Sequence, residues 1–205
     1  MSEVHRISTL QQLEAIYGAP RPQSLLKEVT ALTPEYATWI KASPLAVLAS
    51  VGADGLDCTP RGDPAGFVDV VDDKTLVLPD RAGNNRIDTL RNLIADPRIA
   101  LLFLVPGRDE TIRIAGSAVI STDPELLQRY VVAGKVPQTA MIITVERVYF
   151  QCARALKRAR LWCADSDEGQ ALPSIGDILK SISNGQFDGA AYDAELRDRM
   201  NKTLY

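Results

Sequence analysis

Residues 45–62, LAVLASVGADGLDCTPRG, decide how the chain is read. Two short strand-forming runs, LAVLASV and LDCTPR, flank Gly52-Ala53-Asp54-Gly55, and a glycine-rich break of that length between such runs predicts a β-hairpin. Working outward, the same pattern recurs at GFVDVV, TLVLP, RIALLFLV, TIRIAGSAVIST and MIITVERVYFQ, with Asp72-Asp73 and Pro106-Gly107 among the connections. Such a series of short strands without βαβ regularity favours an antiparallel barrel.

Helical patterns surround these strands. Ser8 with Gln11 fits a capping box, Leu10, Leu13 and Ile16 share a face, and Gly18 stands where a helix stops. Beyond Pro20 and Pro22, an apolar segment around Leu25 and Leu26 leads to Thr33-Pro34-Glu35, which reads as cap, first-turn proline and acid for a helix ending near Ser43-Pro44. Further helices are predicted from Asn84 to Ile94, with Ile87, Leu90 and Ile94 on one face, and after Asp123-Pro124. After the stretch 165–169, two amphipathic segments follow, around Ile175 to Ile182 and Ala190 to Met200. The expected organisation is a helical extension over 1–43, a barrel domain over 44–162, and a helical extension over 163–205 packed on the barrel.

Composition narrows the function. At 205 residues, 46% hydrophobic and 24% charged, the chain suits one globular domain with additions. No apolar run nears the ~20 residues that span a bilayer. The opening MSEVHRISTLQQLEAIYG puts charges where a signal peptide would be apolar, so a cytoplasmic protein is expected. A net charge of −3 gives no global attraction to nucleic acid or to an anionic membrane. Three cysteines, Cys58, Cys152 and Cys163, fit neither a disulfide framework nor a zinc ribbon, and Cys58 and Cys152 read as small buried hydrophobes within strands. The single histidine, His5, lies near the terminus, which leaves histidine-dependent nucleophiles, zinc sites and histidine-ligated haem short of ligands. Neither GxxxxGK(S/T) nor GxGxxG occurs. Neither a metal site nor chemistry by side chains alone is expected.

An anion site is best sought in TLVLPDRAGNNRIDTLRNL, residues 75–93, where a strand ends, a polar loop follows and a helix begins. Helix-start N–H groups attract anions, Asn84 or Asn85 can cap, and Arg81 and Arg86 flank Gly83, which permits a positive φ or a ligand's close approach. Guanidinium groups bind phosphate through paired N–H donors. The same residues also suit an ordinary polar loop, with the arginines solvated beside Asp80 and Asp88. In CTPRGDPAG, Arg61 either meets an anion or pairs with Asp63 across a turn, and the spacing favours the turn. In ARALKRARLW, Arg154, Lys157, Arg158 and Arg160 form either an anion-facing patch or a solvated helix face. Trp39 and Trp162 read as core anchors, with Trp162 placed to serve an aromatic ligand beside the basic run.

LPDRAGNNRIDTLRN after a TPRGD segment, with VYFQCARALKRARLW downstream, resembles the pyridoxamine 5′-phosphate oxidase-like flavoproteins, over roughly residues 44 to 162. The resemblance implies a fold that is mainly β with flanking helices, an antiparallel Greek-key split β-barrel that binds FMN at a homodimer interface. It places Pro79, Asp80, Arg81, Asn84, Asn85 and Arg86 along the phosphate and ribityl chain. Thr59, Arg61 and Gly62 fall on the strand passing the ring, and Thr111 at a strand position near the flavin. From the second subunit it implies Gln151, Lys157, Arg158 and Arg160. Two departures stand out. The family's loop has two successive basic residues where this chain has Asn85 before Arg86, and no histidine occurs in the C-terminal segment where the oxidases use one for substrate.

The implied function is an FMN-dependent oxidoreductase moving hydride or electrons to or from an unidentified small molecule. No catalytic residue is assigned. A flavin carries such chemistry itself, so a histidine-poor protein need only position and tune it. The alternative is a flavin-binding or flavin-sensing protein without turnover; a third reading puts haem or a deazaflavin in the same cleft.

Overall fold

Strands β1 (Leu45–Gly52) and β2 (Gly55–Gly62) form the expected hairpin, in register from Leu45 opposite Gly62 to Gly52 opposite Gly55. The computed structural model describes residues 5–53, 55–163 and 172–202, so Asp54 of this turn and the stretch 165–169 lie outside the described residues. The remaining strands are β3 (Asp69–Val70), β4 (Thr75–Asp80), β5 (Arg98–Leu104), β6 (Thr111–Ser121) and β7 (Thr139–Gln151). All pair antiparallel, in one seven-stranded sheet ordered β2-β1-β5-β6-β7-β4-β3. The β3–β4 hairpin is thus inserted beyond β7 while β5 returns to β1. The fold is mainly β with flanking helices, of the split-barrel class.

Alternation along the strands builds the core. Ile99, Leu101 and Phe103 of β5 and Ile112 and Ile114 of β6 point inward with Leu48, Leu76, Leu78, Met141 and Ile143, all buried. Leu32 and Ile40, before the first strand, belong to the same core. Trp39 packs against it half-buried, and the Arg108 guanidinium lies 5.9 Å from its ring centroid. At Ala115/Gly116 the β6–β7 register shifts. A Cβ at Gly116 would run into the Thr144 carbonyl oxygen, so the bulge needs glycine there.

Local signals set most of the helices. Helix α1 (Leu10–Tyr17) is capped by Thr9, whose hydroxyl accepts from the Gln12 N–H while the Gln12 side chain bonds back. The capping box therefore starts one residue later than Ser8 and Gln11 suggest, because Thr9 is the extended residue at the helix start. Leu10, Leu13 and Ile16 do share α1, yet no residue of that helix is buried. Helix α2 (Pro22–Leu26) is short and leaves Leu25 and Leu26 exposed. Helix α3 (Pro34–Ala42) follows the sequence reading: Thr33 caps it, Pro34 opens it and Glu35 sits in its first turn. Helix α4 (Asp88–Ala95) starts four residues later than Asn84. Its buried side chains are Thr89 and Leu93, while Ile94 is 80% exposed.

Helix α5 (Pro124–Gln128) has the expected Asp123 cap, and α6 (Arg154–Ala159) carries the basic run. Helices α7 (Ile175–Ile182) and α8 (Gly189–Lys202) form a hairpin whose backbones meet at Gly176 and Gly189. Asp193 accepts from the Gly176 N–H (2.9 Å) and from the Ser174 hydroxyl (2.5 Å), which fixes the crossing. Among the described residues, no helix is long and apolar enough to cross a membrane. Cys58, Cys152 and Cys163 are free and exposed, which corrects the reading of the first two as buried. The reason is position: β2 is the sheet's edge and Cys152 lies just past the end of β7.

Candidate functional site

A cavity of about 770 Å³ opens where β2, β4, α4 and the segment entering β7 meet. Pockets of this size hold cofactors and small ligands. One wall is the loop between Asp80 and Asp88. Within it, Asn85 (φ 58°) and Ile87 (φ 51°) adopt the left-handed conformation. Asparagine tolerates that region, whereas a β-branched residue there costs on the order of 1–2 kcal/mol. The left-handed turn that the sequence offers to Gly83 is thus taken by Asn85 and Ile87, and a Cβ at Gly83 would meet only open space. Asn84 caps no helix: its Oδ1 accepts from the Arg86 N–H within the loop (3.0 Å), and Ile87 occupies the cap position of α4 without a side-chain bond. Docking of α4 fixes the loop's far end. The Asn92 amide donates to Ser50 Oγ (2.9 Å) in the space that Gly52 leaves vacant.

The arginines divide into two kinds. Arg81 donates from Nε to Asp63 Oδ2 (2.8 Å) and from Nη1 to the Tyr130 carbonyl (2.7 Å), and Arg61 donates from Nη1 to Asp80 Oδ1 (3.1 Å). The pairing expected between Arg61 and Asp63 is crossed, because β2 and β4 bring each arginine to the other's aspartate. Asp80 is mostly buried, and that burial raises its pKa above the ordinary carboxylate value, with Arg61 opposing the shift. Arg86 differs. It is 75% exposed at the cavity mouth, and its bond to Asp88 (Nε to Oδ2, 2.8 Å) raises its already high pKa.

The opposite wall is the segment 130–139, which the sequence reading did not assign. Val132 and Lys135 bridge each other across Ala133 (φ 50°) and Gly134 (φ 76°), a tight turn with two left-handed residues. Val136, Pro137, Gln138 and Thr139 then lead into β7 along the cavity. The wall is braced from behind: the Tyr130 hydroxyl donates to Asp69 Oδ2 (2.8 Å), as does Arg129 Nη2 (3.0 Å). Burial and the Asp69 carboxylate push the Tyr130 phenol up to about 12. The turn signal Ala133-Gly134 between two valine-bearing runs was the available cue to this wall.

Of the residues singled out in the sequence, Thr59, Arg61, Asp80, Arg81, Asn84, Asn85 and Arg86 line this cavity together. Pro79 is buried in β4, and Gly62 ends β2 outside the lining. Thr111 is buried opposite Gln151 at the other end of the sheet. Gln151 is twelve residues from Thr139, on the order of 40 Å along β7 at about 3.3 Å per residue. Lys157, Arg158 and Arg160 project exposed from that far end, where the Trp162 indole donates to the Arg108 carbonyl (2.8 Å). A second, smaller cleft of about 370 Å³ lies there too, lined by Tyr36, Trp39, Ile112 and Phe150. One chain therefore presents the two groups of residues at separate places.

A family profile described as pyridoxamine 5′-phosphate oxidase matches residues 32–152, more than half of the chain and every strand of the sheet. The chain belongs to the pyridoxamine 5′-phosphate oxidase family. Among solved structures it is similar to HupZ from Group A Streptococcus, at 27% identity and TM-score 0.46, covering 57% of this chain and 91% of that one. It is similar as well to general stress protein 26 from Bacillus anthracis, at 18% identity and TM-score 0.40, covering 55% and 88%. An FMN-binding protein from Syntrophomonas wolfei matches at 9% identity and TM-score 0.45, covering 71% and 98%. A search of curated proteins finds no match. The profile match begins at Leu32, so the family's domain includes α3 and the core residue Ile40.

Proposed function

We propose that this family member is an FMN-binding oxidoreductase that transfers hydride or electrons to or from a small organic molecule. The observation that carries the reading is the cavity itself: a strand, a left-handed loop and a helix start, with an exposed arginine at its mouth and neutralised polar groups at its floor. These residues fit a phosphorylated, polyhydroxylated aromatic cofactor. Arg86 would hold the phosphate dianion, for which guanidinium offers paired donors, with Lys135 on the facing wall. Arg81, fastened to Asp63 and Tyr130, joins the two walls and keeps the cavity's width. Thr59 and Arg61 on β2 would line the cofactor's length, and the loop from Asp80 to Arg86 its other side. When bound, FMN supplies the hydride or electron transfer, and the protein supplies position and electrostatics.

The same reading makes the working unit a homodimer. Gln151, Lys157, Arg158 and Arg160 are too far from the cavity to serve it within one chain, so they would reach the cofactor from a second copy. Anaerobic mixing of the FMN-loaded protein with NADH or NADPH, followed by a panel of acceptors, tests the reaction. Bleaching of the flavin and its acceptor-dependent recovery are expected. A flavin that binds tightly yet stays oxidised with every donor would instead favour binding or sensing without turnover.

A further inference from the structure

Among the described residues, two buried side-chain polar atoms find no hydrogen-bond partner in the protein: Arg61 Nε and Thr139 Oγ1. Both residues line the same cavity. They also adjoin one residue, since Thr139 sits directly opposite Asp80 in the β4–β7 register and the Asp80 carboxylate accepts from Arg61 Nη1. Buried polar groups are almost always satisfied, and one left without a partner costs about 1–3 kcal/mol. Two such atoms, on residues that both adjoin Asp80 and line one cavity, mark a place where a ligand completes the hydrogen bonding.

The charge of that place identifies the ligand group. The Arg61 guanidinium is already balanced by Asp80 at 3.1 Å, so an anion placed here would set two negative charges against one positive. An uncharged oxygen meets no such penalty: it accepts from Arg61 Nε, and a hydroxyl or carbonyl oxygen also suits the Thr139 hydroxyl, which donates or accepts. The anionic end of a ligand belongs at the mouth, by Arg86. We infer that Arg61, Asp80 and Thr139 form a neutral floor that binds an uncharged oxygen-bearing part of the ligand, with Thr139 as a binding residue. This rests on the flavin reading of the cavity for the choice of probe.

The test uses the full-length apoprotein titrated with FMN and with riboflavin, read by flavin fluorescence, in wild type, Thr139→Val and Thr139→Ser. Thr139→Val should weaken both flavins equally, by about tenfold, the equivalent of one hydrogen bond, and Thr139→Ser should restore most of the affinity. The free Thr139→Val protein should melt no lower than wild type, because its methyl group replaces a hydroxyl that bonds nothing among the described residues. Unchanged affinity for both flavins would overturn the inference, and so would a loss confined to FMN, which would put the phosphate on the floor. A lower melting temperature for free Thr139→Val would also overturn it, by revealing a partner for the hydroxyl within the protein. Wild-type protein that binds neither flavin would instead remove the flavin reading beneath it.

Discussion

Replacing Arg86 by alanine separates an anion site from a polar loop. The side chain is 75% exposed and, among the described residues, its bonded partner is Asp88, itself at the surface. Removing it leaves no buried group unsatisfied, so the melting temperature should move by less than about 2 °C. Binding should respond far more. A charge-assisted bond to a phosphate oxygen corresponds to roughly ten- to a hundredfold in affinity. Two features of the site reduce the gain in the wild type: Arg86 must give up part of its pairing with Asp88, and its exposure leaves the contact screened by salt. The expected loss for FMN is therefore near the lower end, about 10- to 30-fold at low ionic strength, shrinking as salt is added. Riboflavin, which lacks the phosphate, should bind wild type and Arg86→Ala alike. Below about pH 6 the phosphate becomes a monoanion, and the difference should narrow. Isothermal titration of both flavins at two salt concentrations reads all of this. An unchanged FMN affinity, or an equal loss for riboflavin, would refute the assignment of Arg86 to a phosphate.

Two further outcomes test the surroundings of the cavity. Asp80 has a pKa raised above its ordinary 3.8 by burial, so the folded protein binds its proton more tightly than the unfolded chain does. The stability this contributes is complete below that ordinary value and is lost as pH rises through the raised one; Asp80→Asn should thus gain in melting temperature relative to wild type between pH 4 and pH 8, and a constant difference would contradict the burial argument. At the bulge, Gly116→Ala forces a Cβ against the Thr144 carbonyl of the adjacent strand, which cannot swing aside as a side chain could. Overpacking at the upper end of the ~1–3 kcal/mol range should lower the melting temperature by roughly 6–12 °C, and an unaltered transition would show that the strands relax freely.

Where structure follows from neighbours in sequence, it was legible. The hairpin around Gly52 and Gly55, the Thr33-Pro34 start of α3, the Gly18 stop of α1 and the bounds of α7 all rest on local turn and cap chemistry. Helix α4 starts later than Asn84 because an isoleucine takes the left-handed cap position, an outcome that no propensity favours. Of the face formed by Ile87, Leu90 and Ile94, Leu90 packs against the core while the two isoleucines are exposed; α4 docks also through Thr89, Asn92 and Leu93, and Asn92 reads as surface until Gly52 and Ser50 of β1 are seen beneath it. The loop wall of the cavity was readable from its arginines and asparagines. The facing wall was not, since it lies some 50 residues downstream and only the β4–β7 pairing brings Thr139 opposite Asp80. The crossed partners of Arg61 and Arg81 likewise depend on how two strands approach, which no spacing encodes.

The most direct test of the central claim is the absorbance spectrum of the freshly purified full-length protein, followed by heat release and mass identification of any bound chromophore. Oxidised flavin bands at about 375 and 450 nm, with FMN released in a ratio near one per chain, are the result this account predicts. A colourless protein that also fails to take up added FMN would contradict it.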